Sequence, residues 1–178
     1  ALVAALWRRL GGMEGGRPKD AGDGTPLDLD AFLRRGIGVV TPHRAQQATV
    51  VTLLEGVLPR DDPGFASLYD AVDTVERFQG QERMVMIASL GLGDLDQIRG
   101  EEEFLYSLNR FNVIASRAQA KFILVASRTL IDHIPSDSKV MRQSALIKHF
   151  ADGFLRDVRR AELPKLGSVE VRTRPRRS

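Results

Sequence analysis

Three short apolar runs, GIGVV (residues 36–40), MVMIASL (84–90) and KFILVAS (121–127), constrain this chain more than any other feature. Each reads as a buried strand, and the first is stopped by Pro42. A fourth, weaker strand signal lies at residues 71–75. Between them the apolar period changes from strand-like to helical. Residues 46–58 are apolar at 50, 53, 54, 57 and 58. Residues 103–118 place Phe104, Leu108, Phe111, Ala115 and Ala118 on one face, behind the acids Glu101 to Glu103, which suit the positive end of a helix dipole. Two more helical stretches are expected near residues 129–133 and 138–150, and a loop is expected at GLGDLDQIRG. Buried strands alternating with amphipathic helices imply an α/β domain, with a mostly parallel sheet covered on both faces.

The ends of the chain read differently. Residues 2–10 form a short amphipathic helix closed by Gly11 and Gly12, and GGMEGGRPKDAGDGTPLDLD reads as a flexible surface loop. The expected organisation is this helix and loop over residues 1–35, an α/β body over 36–153 and a basic tail over 154–178. Residues 155–178 hold eight basic and three acidic side chains, in a chain whose net charge is only +3. RTRPRRS at the end points to nucleic acid or another polyanion, with a merely solubilising end as the alternative.

The 178 residues, 43% hydrophobic and 28% charged, exclude a disordered chain. No apolar run reaches the roughly 18 residues of a membrane span. Zero cysteines exclude disulfides and fit a cytoplasmic protein, and His43, His133 and His149 have no metal-ligand spacing. There is neither an initiator methionine nor a signal-peptide pattern, so the chain opens as if cut from something larger.

Three stretches carry polar residues that a core does not need: TPHRAQQ, TVERFQGQE and NRFNVIASRAQAK. In parallel sheets, function gathers at the carboxyl ends of strands and in the loops beyond them. Each stretch also has a plain structural reading. TPHRAQQ can be a proline turn with Thr41 as helix cap, Gly80 can supply an unusual backbone angle, and Arg110 and Arg117, seven apart on one helix face, can simply face water. Their order and spacing carry more than any one of them.

In that order the chain resembles the second RecA-like domain of superfamily 1 helicases. The similar branch is the 5′-to-3′ one that includes RNA-surveillance helicases and helicase-nucleases of Okazaki-fragment processing. GIGVVTPHRAQ resembles motif IV of that family, AVDTVERFQGQERMVMIAS motif V, and LNRFNVIASRAQAKFILVAS motif VI. The resemblance covers residues 36–127 and implies a three-layer RecA-like, P-loop NTPase-type fold.

It also implies roles. Arg117 matches the arginine finger, a planar and permanently charged fork for the γ-phosphate of ATP. Arg110 matches the arginine that opens motif VI, an ATP-binding position that by the resemblance holds neighbouring acidic groups or the domain interface, and Ser116 keeps the hydroxyl of the more usual threonine. Gly80 and Glu82 match positions beside the nucleotide, where glycine allows close approach and a carboxylate accepts from ribose hydroxyls. Thr74 matches a contact to a phosphate of the bound single strand, with Gln79 and Gln81 placed between the two ligands. Thr41, Pro42, His43 and Arg44 match a loop near nucleic acid, and Gln46 a structural position.

No G-x-x-x-x-G-K-[ST] loop and no strand ending in paired acids for Mg²⁺ occurs in the sequence. By the resemblance those elements belong to a first RecA-like domain, which would be a partner along with single-stranded nucleic acid, DNA rather than RNA from the form of the motifs. The chain then reads as half of an ATPase that is inactive alone. The alternative is a non-catalytic nucleic-acid or protein-binding module on the same fold.

Overall fold

A computed structural model describes residues 2–10, 27–78, 81–163 and 167–175, with the side chains of residues 8–10 excluded. The chain forms two compact units. One comprises residues 1–91 and 112–126, and the other residues 92–111 and 127–178.

The first unit is built on a four-stranded parallel sheet in the order β2-β1-β3-β4. The strands are β1 (Ile37–Thr41), β2 (Val72–Thr74), β3 (Arg83–Leu90) and β4 (Ala118–Ala126). All five residues of β1 are buried, as expected of a central strand covered on both faces. Alternation along the strands divides the core. Ile37, Val39, Val85 and Ile87 meet Leu29, Phe32, Leu33, Leu54 and Leu68 on one face. Val40, Met86 and Ala88 meet Val75, Phe78 and Ile114 on the other. Helix α1 (Leu2–Leu10) joins the first cluster through Val3 and Trp7, whose ring lies 5.1 Å from that of Phe32.

Several expectations shift at their edges. The loop expected before β1 gives way to structure at Asp28, whose carboxylate caps helix α2 (Leu29–Ala31) by accepting from the amide of Ala31 at 2.7 Å. Leu29 is wholly buried there, so DLDAF is an N-terminal cap and core anchor rather than surface loop. Helix α3 spans Arg44–Glu55 and a short helix α4 spans Leu68–Ala71. Strand β4 was expected to be buried. It pairs only with β3 among the described strands, and Val125 is 46% exposed. Phe122 and Leu124 still pack on one face of the sheet and Ile123 on the other.

The second unit contains α5 (Leu95–Gly100), α6 (Glu102–Leu105), the first residues of α7 (Leu108–Ser116), α8 (Arg128–Asp132) and α9 (Ser138–Lys148). GLGDLDQIRG, expected as a loop, contains α5 because the Asp94 carboxylate accepts from the amide of Gln97 at 2.9 Å and starts the helix. The single helix expected over 103–118 is broken between Leu105 and Leu108. Tyr106 turns inward there, 2% exposed, and its hydroxyl donates to the carbonyl of Leu130 at 2.7 Å. Burial, with the nearby Glu102 charge, pushes that phenol up to about 12. Residues 157–173, expected in the basic tail, contain an antiparallel hairpin of β5 (Asp157–Leu163) and β6 (Gly167–Thr173), with Gly167 at φ 71° opening the return strand.

Candidate functional site

The motif residues of the first unit collect at opposite ends of its sheet. In a parallel sheet all strands run the same way, so each end has one chemical character. Thr41 and Thr74 lie side by side at the carboxyl ends of β1 and β2, directly in register. Gln81, Glu82 and Arg83 stand at the amino end of β3, and Arg117 immediately before the amino end of β4. Arg83 and Ala118 are register partners. One group of motif residues therefore stands at carboxyl ends, as expected, and the other at amino ends.

At the carboxyl end Thr41 is completely buried and donates its hydroxyl to the carbonyl of His43 at 3.3 Å. It shapes the loop, while His43 occupies the N-cap position of α3 without a side-chain capping bond. Thr41 is thus not the helix cap that TPHRAQQ could have implied. Pro42 is buried, His43 is half-buried and Arg44 is exposed. Gln46 donates to Ser89 Oγ at 3.1 Å and Gln47 to the Val72 carbonyl at 2.9 Å, so both glutamines fasten α3 across strand ends. Thr74 is half-buried, and its amide donates to Asp73 Oδ1 at 2.7 Å.

At the amino end, motifs V and VI are joined through the backbone. The amide of Arg83 donates to the carbonyl of Arg117 at 3.0 Å. Gln119 Nε2 donates to Glu82 Oε2 at 3.0 Å. These two contacts hold the exposed Glu82 and the half-buried Arg117 at one corner of the sheet. Arg117 lies in the turn just beyond α7, with its amide donating to the Ile114 carbonyl at 3.2 Å, and not on the helix face where its spacing had put it. Its Nε is buried with no hydrogen-bond partner. The corner thus brings together an arginine nitrogen that has no partner and a surface carboxylate that can only accept.

Arg110 belongs to the second unit. Its guanidinium lies 4.2 Å from the centroid of the Phe104 ring, and its amide donates to Ser107 Oγ at 3.4 Å. Ser116 is occupied by its own helix, donating to the Val113 carbonyl at 3.0 Å. Gln79 and Gly80 lie outside the described residues. Among the described residues no cluster of three potential metal ligands occurs, and no helix is long and apolar enough to cross a membrane.

Two contributors escaped the sequence reading. Gln119 stands two residues beyond Arg117 in motif VI, and that two-residue step was its only signal. Arg83 reads as the first polar residue of a strand, yet it is 6% exposed. Its Nη1 donates to the Glu82 carbonyl at 3.0 Å and its Nη2 to Gln81 Oε1 at 2.8 Å.

Motif V connects the two ends. Thr74 is level with Thr41, whereas Val85 is level with Ile37. From Thr74 the chain must therefore descend about six residues, ~20 Å, and pass sideways across β1 by two strand spacings, ~10 Å. That distance is about 22 Å. Within the connection, Val75–Phe78 are wound as a 3₁₀ turn, and the amide of Gln81 donates to the Phe78 carbonyl at 3.2 Å. The crossing point is Gly38 in β1, where an added Cβ would sit 2.6 Å from Met86 Sδ, 3.0 Å from Phe78 Cε1 and 3.1 Å from Arg83 Cγ. Glycine is required there for close approach.

Comparison with known proteins agrees with this architecture. Residues 25–129 match the AAA domain family. Over 100 residues, 56% of this chain and 3% of the relative, it is 34% identical to "Probable helicase senataxin" of Homo sapiens. It is 30% identical over 113 residues to "RNA helicase Mov10l1" of Mus musculus, covering 62% of this chain and 9% of that protein. To "DNA replication ATP-dependent helicase/nuclease DNA2" of Mus musculus it is 27% identical over 135 residues, 68% of this chain and 12% of the relative. The chain thus spans a small fraction of the curated relatives it matches. One of them is named for RNA and another for DNA, which leaves the expected preference for DNA without support. With its parallel sheet, the linked motifs and the family match, the chain belongs to the AAA domain family as a superfamily 1 helicase RecA-like domain.

Proposed function

We propose that this chain is the second motor domain of an ATP-dependent nucleic-acid helicase, working with a first RecA-like domain that holds ATP and Mg²⁺. Arg117 places its guanidinium against the γ-phosphate as charge shifts during hydrolysis, and Glu82 accepts from the ribose. Gly80 lets the backbone approach the phosphates, and Arg110 steadies the segment that leads into motif VI. The carboxyl end of the sheet holds single-stranded nucleic acid. There Thr74 and Gln79 meet a backbone phosphate, and the loop of Thr41, Pro42, His43 and Arg44 lies alongside. Alone the chain neither hydrolyses ATP nor unwinds a duplex, because the Mg²⁺ ligands and phosphate loop reside on the other domain.

The observation that supports this reading best is the Arg83–Arg117 backbone contact, which keeps Glu82 and the unpartnered Nε of Arg117 at one corner. A pure binding module has no use for an arginine nitrogen left without a partner there. The test joins the chain to its first RecA-like domain and compares wild type with Arg117→Ala. Hydrolysis is expected to fall by about 10³- to 10⁵-fold with ATP affinity nearly kept. A loss smaller than about tenfold rejects the finger.

A further inference from the structure

The β5–β6 hairpin of the second unit is open on both faces. Its strands pair directly, Val158 with Arg172 and Arg159 with Val171. Successive side chains alternate between faces, so Val158 and Arg160 share one face while Arg159 and Val171 share the other. Val158 is 49% exposed and Val171 is 44% exposed, so neither face is covered. No residue of either strand is buried. A two-stranded ribbon left in water on both faces is marginal by itself. Its base is tied down instead. Asp152 lies 2.7 Å from Arg172 and 2.9 Å from Arg128, and the Arg174 guanidinium lies 5.2 Å from the centroid of the Phe154 ring.

Arg159 and Arg160 are the accessible charges of this ribbon. Both are exposed, and among the described residues neither is in an ion pair. Glu170 stands directly opposite Arg160 but is bound by Arg172. Each free guanidinium offers a planar fork of N–H donors to phosphate oxygens. Because the two point to opposite faces, a polyanion laid against one face meets only one of them. Phosphate backbones on both sides of the ribbon meet both. The major groove of B-form DNA, about 12 Å wide, has such walls and admits a two-stranded ribbon. The major groove of an RNA duplex is too deep and narrow.

We infer that the β5–β6 ribbon docks on duplex DNA, entering the major groove with Arg159 on one phosphate backbone and Arg160 on the other. Asp157 at the base and Glu162 near the far end of β5 repel phosphates, which confines the contact to the level of the two arginines. This duplex contact is independent of the single-strand site proposed for the first unit, and a blunt probe offers no single-stranded end.

Anisotropy of a labelled blunt DNA duplex of about 16 base pairs, titrated with the whole chain between about 50 and 200 mM salt, tests this. Expected is saturable binding with half-saturation between about 10⁻⁶ and 10⁻⁴ M. Arg159→Gln and Arg160→Gln each weaken it about fivefold and lower the slope of log affinity against log salt by about 0.9, and the double variant lowers it by about 1.8. Both positions are exposed, so these variants keep the fold. Arg142→Gln, an exposed change on α9, leaves the slope as it was. An RNA duplex of the same length binds at least about fivefold more weakly. Absence of saturable binding overturns the proposal. So does a loss at only one of the two arginines, an equal loss in Arg142→Gln, or RNA duplex bound as tightly as DNA.

Discussion

The two ends of the parallel sheet use similar residue types in opposite ways. At the carboxyl end, Thr41 and Pro42 are buried and shape a loop, while Arg44 is exposed and His43 and Thr74 are half-buried. At the amino end, Gln81 and Glu82 are exposed, while the residues that fix them, Arg83 and the Arg117 backbone, lie within the fold. The first end is a buried frame with a basic rim. The second is an exposed carboxylate set beside an arginine nitrogen that has no protein partner. A single segment, residues 74–83, serves both.

Breaking the segment at its crossing point has the largest expected effect on stability. Gly38→Val places new atoms against Met86, Phe78 and Arg83 at once. It should cost about 1–3 kcal/mol, read from the denaturant midpoint, and in the assembled helicase it should weaken both ligands together. Gly93→Ala meets nothing within 4 Å and serves as the control, with the midpoint unchanged. Loss of one ligand alone in Gly38→Val would show that the two ends are set independently.

Selective substitutions sharpen the contrast at the next level of size. Thr74→Ala should weaken single-strand binding about tenfold and leave ATP affinity within about twofold, measured by anisotropy of a labelled oligonucleotide and of a labelled nucleotide. Glu82→Gln should do the reverse, to a similar or smaller extent, since an amide still accepts one hydrogen bond. If Thr74→Ala lowers nucleotide affinity as much as strand affinity, the assignment of ends is wrong.

Much of this was legible in the sequence, and the exceptions have definite causes. Apolar runs located β1 and β3 because burial on both faces leaves no polar alternation to confuse them, and a similar run located β4 although none of its residues is fully buried. The exposure of β4 was hidden because sequence gives no count of neighbouring strands. The break at Tyr106 was invisible to periodicity, since Phe104 and Leu108 stand four apart and carry the stripe across it, while the Tyr106 hydroxyl seeks the Leu130 carbonyl. Asp28 and Asp94 start helices inside stretches that composition alone labels as loop, so a local cap outweighed the glycines around it. Among site residues, the motifs named Glu82 and Arg117 but could not reveal that Arg83 and Gln119 fix them, because that work is done by backbone register and one side-chain amide.

A change in the second unit gives the baseline against which the others are read. Tyr106 in the second unit donates to Leu130 from a buried position, so Tyr106→Phe leaves that carbonyl without its partner and should cost about 1 kcal/mol. Neither strand affinity nor nucleotide affinity should then shift selectively. The phenol adds a pH signature with a fixed sign. Its folded pKa, about 12, lies above the free value, so its contribution is complete below about pH 10 and is lost as pH rises through about 12. The stability gap between wild type and Tyr106→Phe should therefore stay constant through neutral pH and narrow above about pH 10. A gap that widened on alkalinisation would mean that the phenol ionises more readily in the folded chain, against its burial and the Glu102 charge beside it.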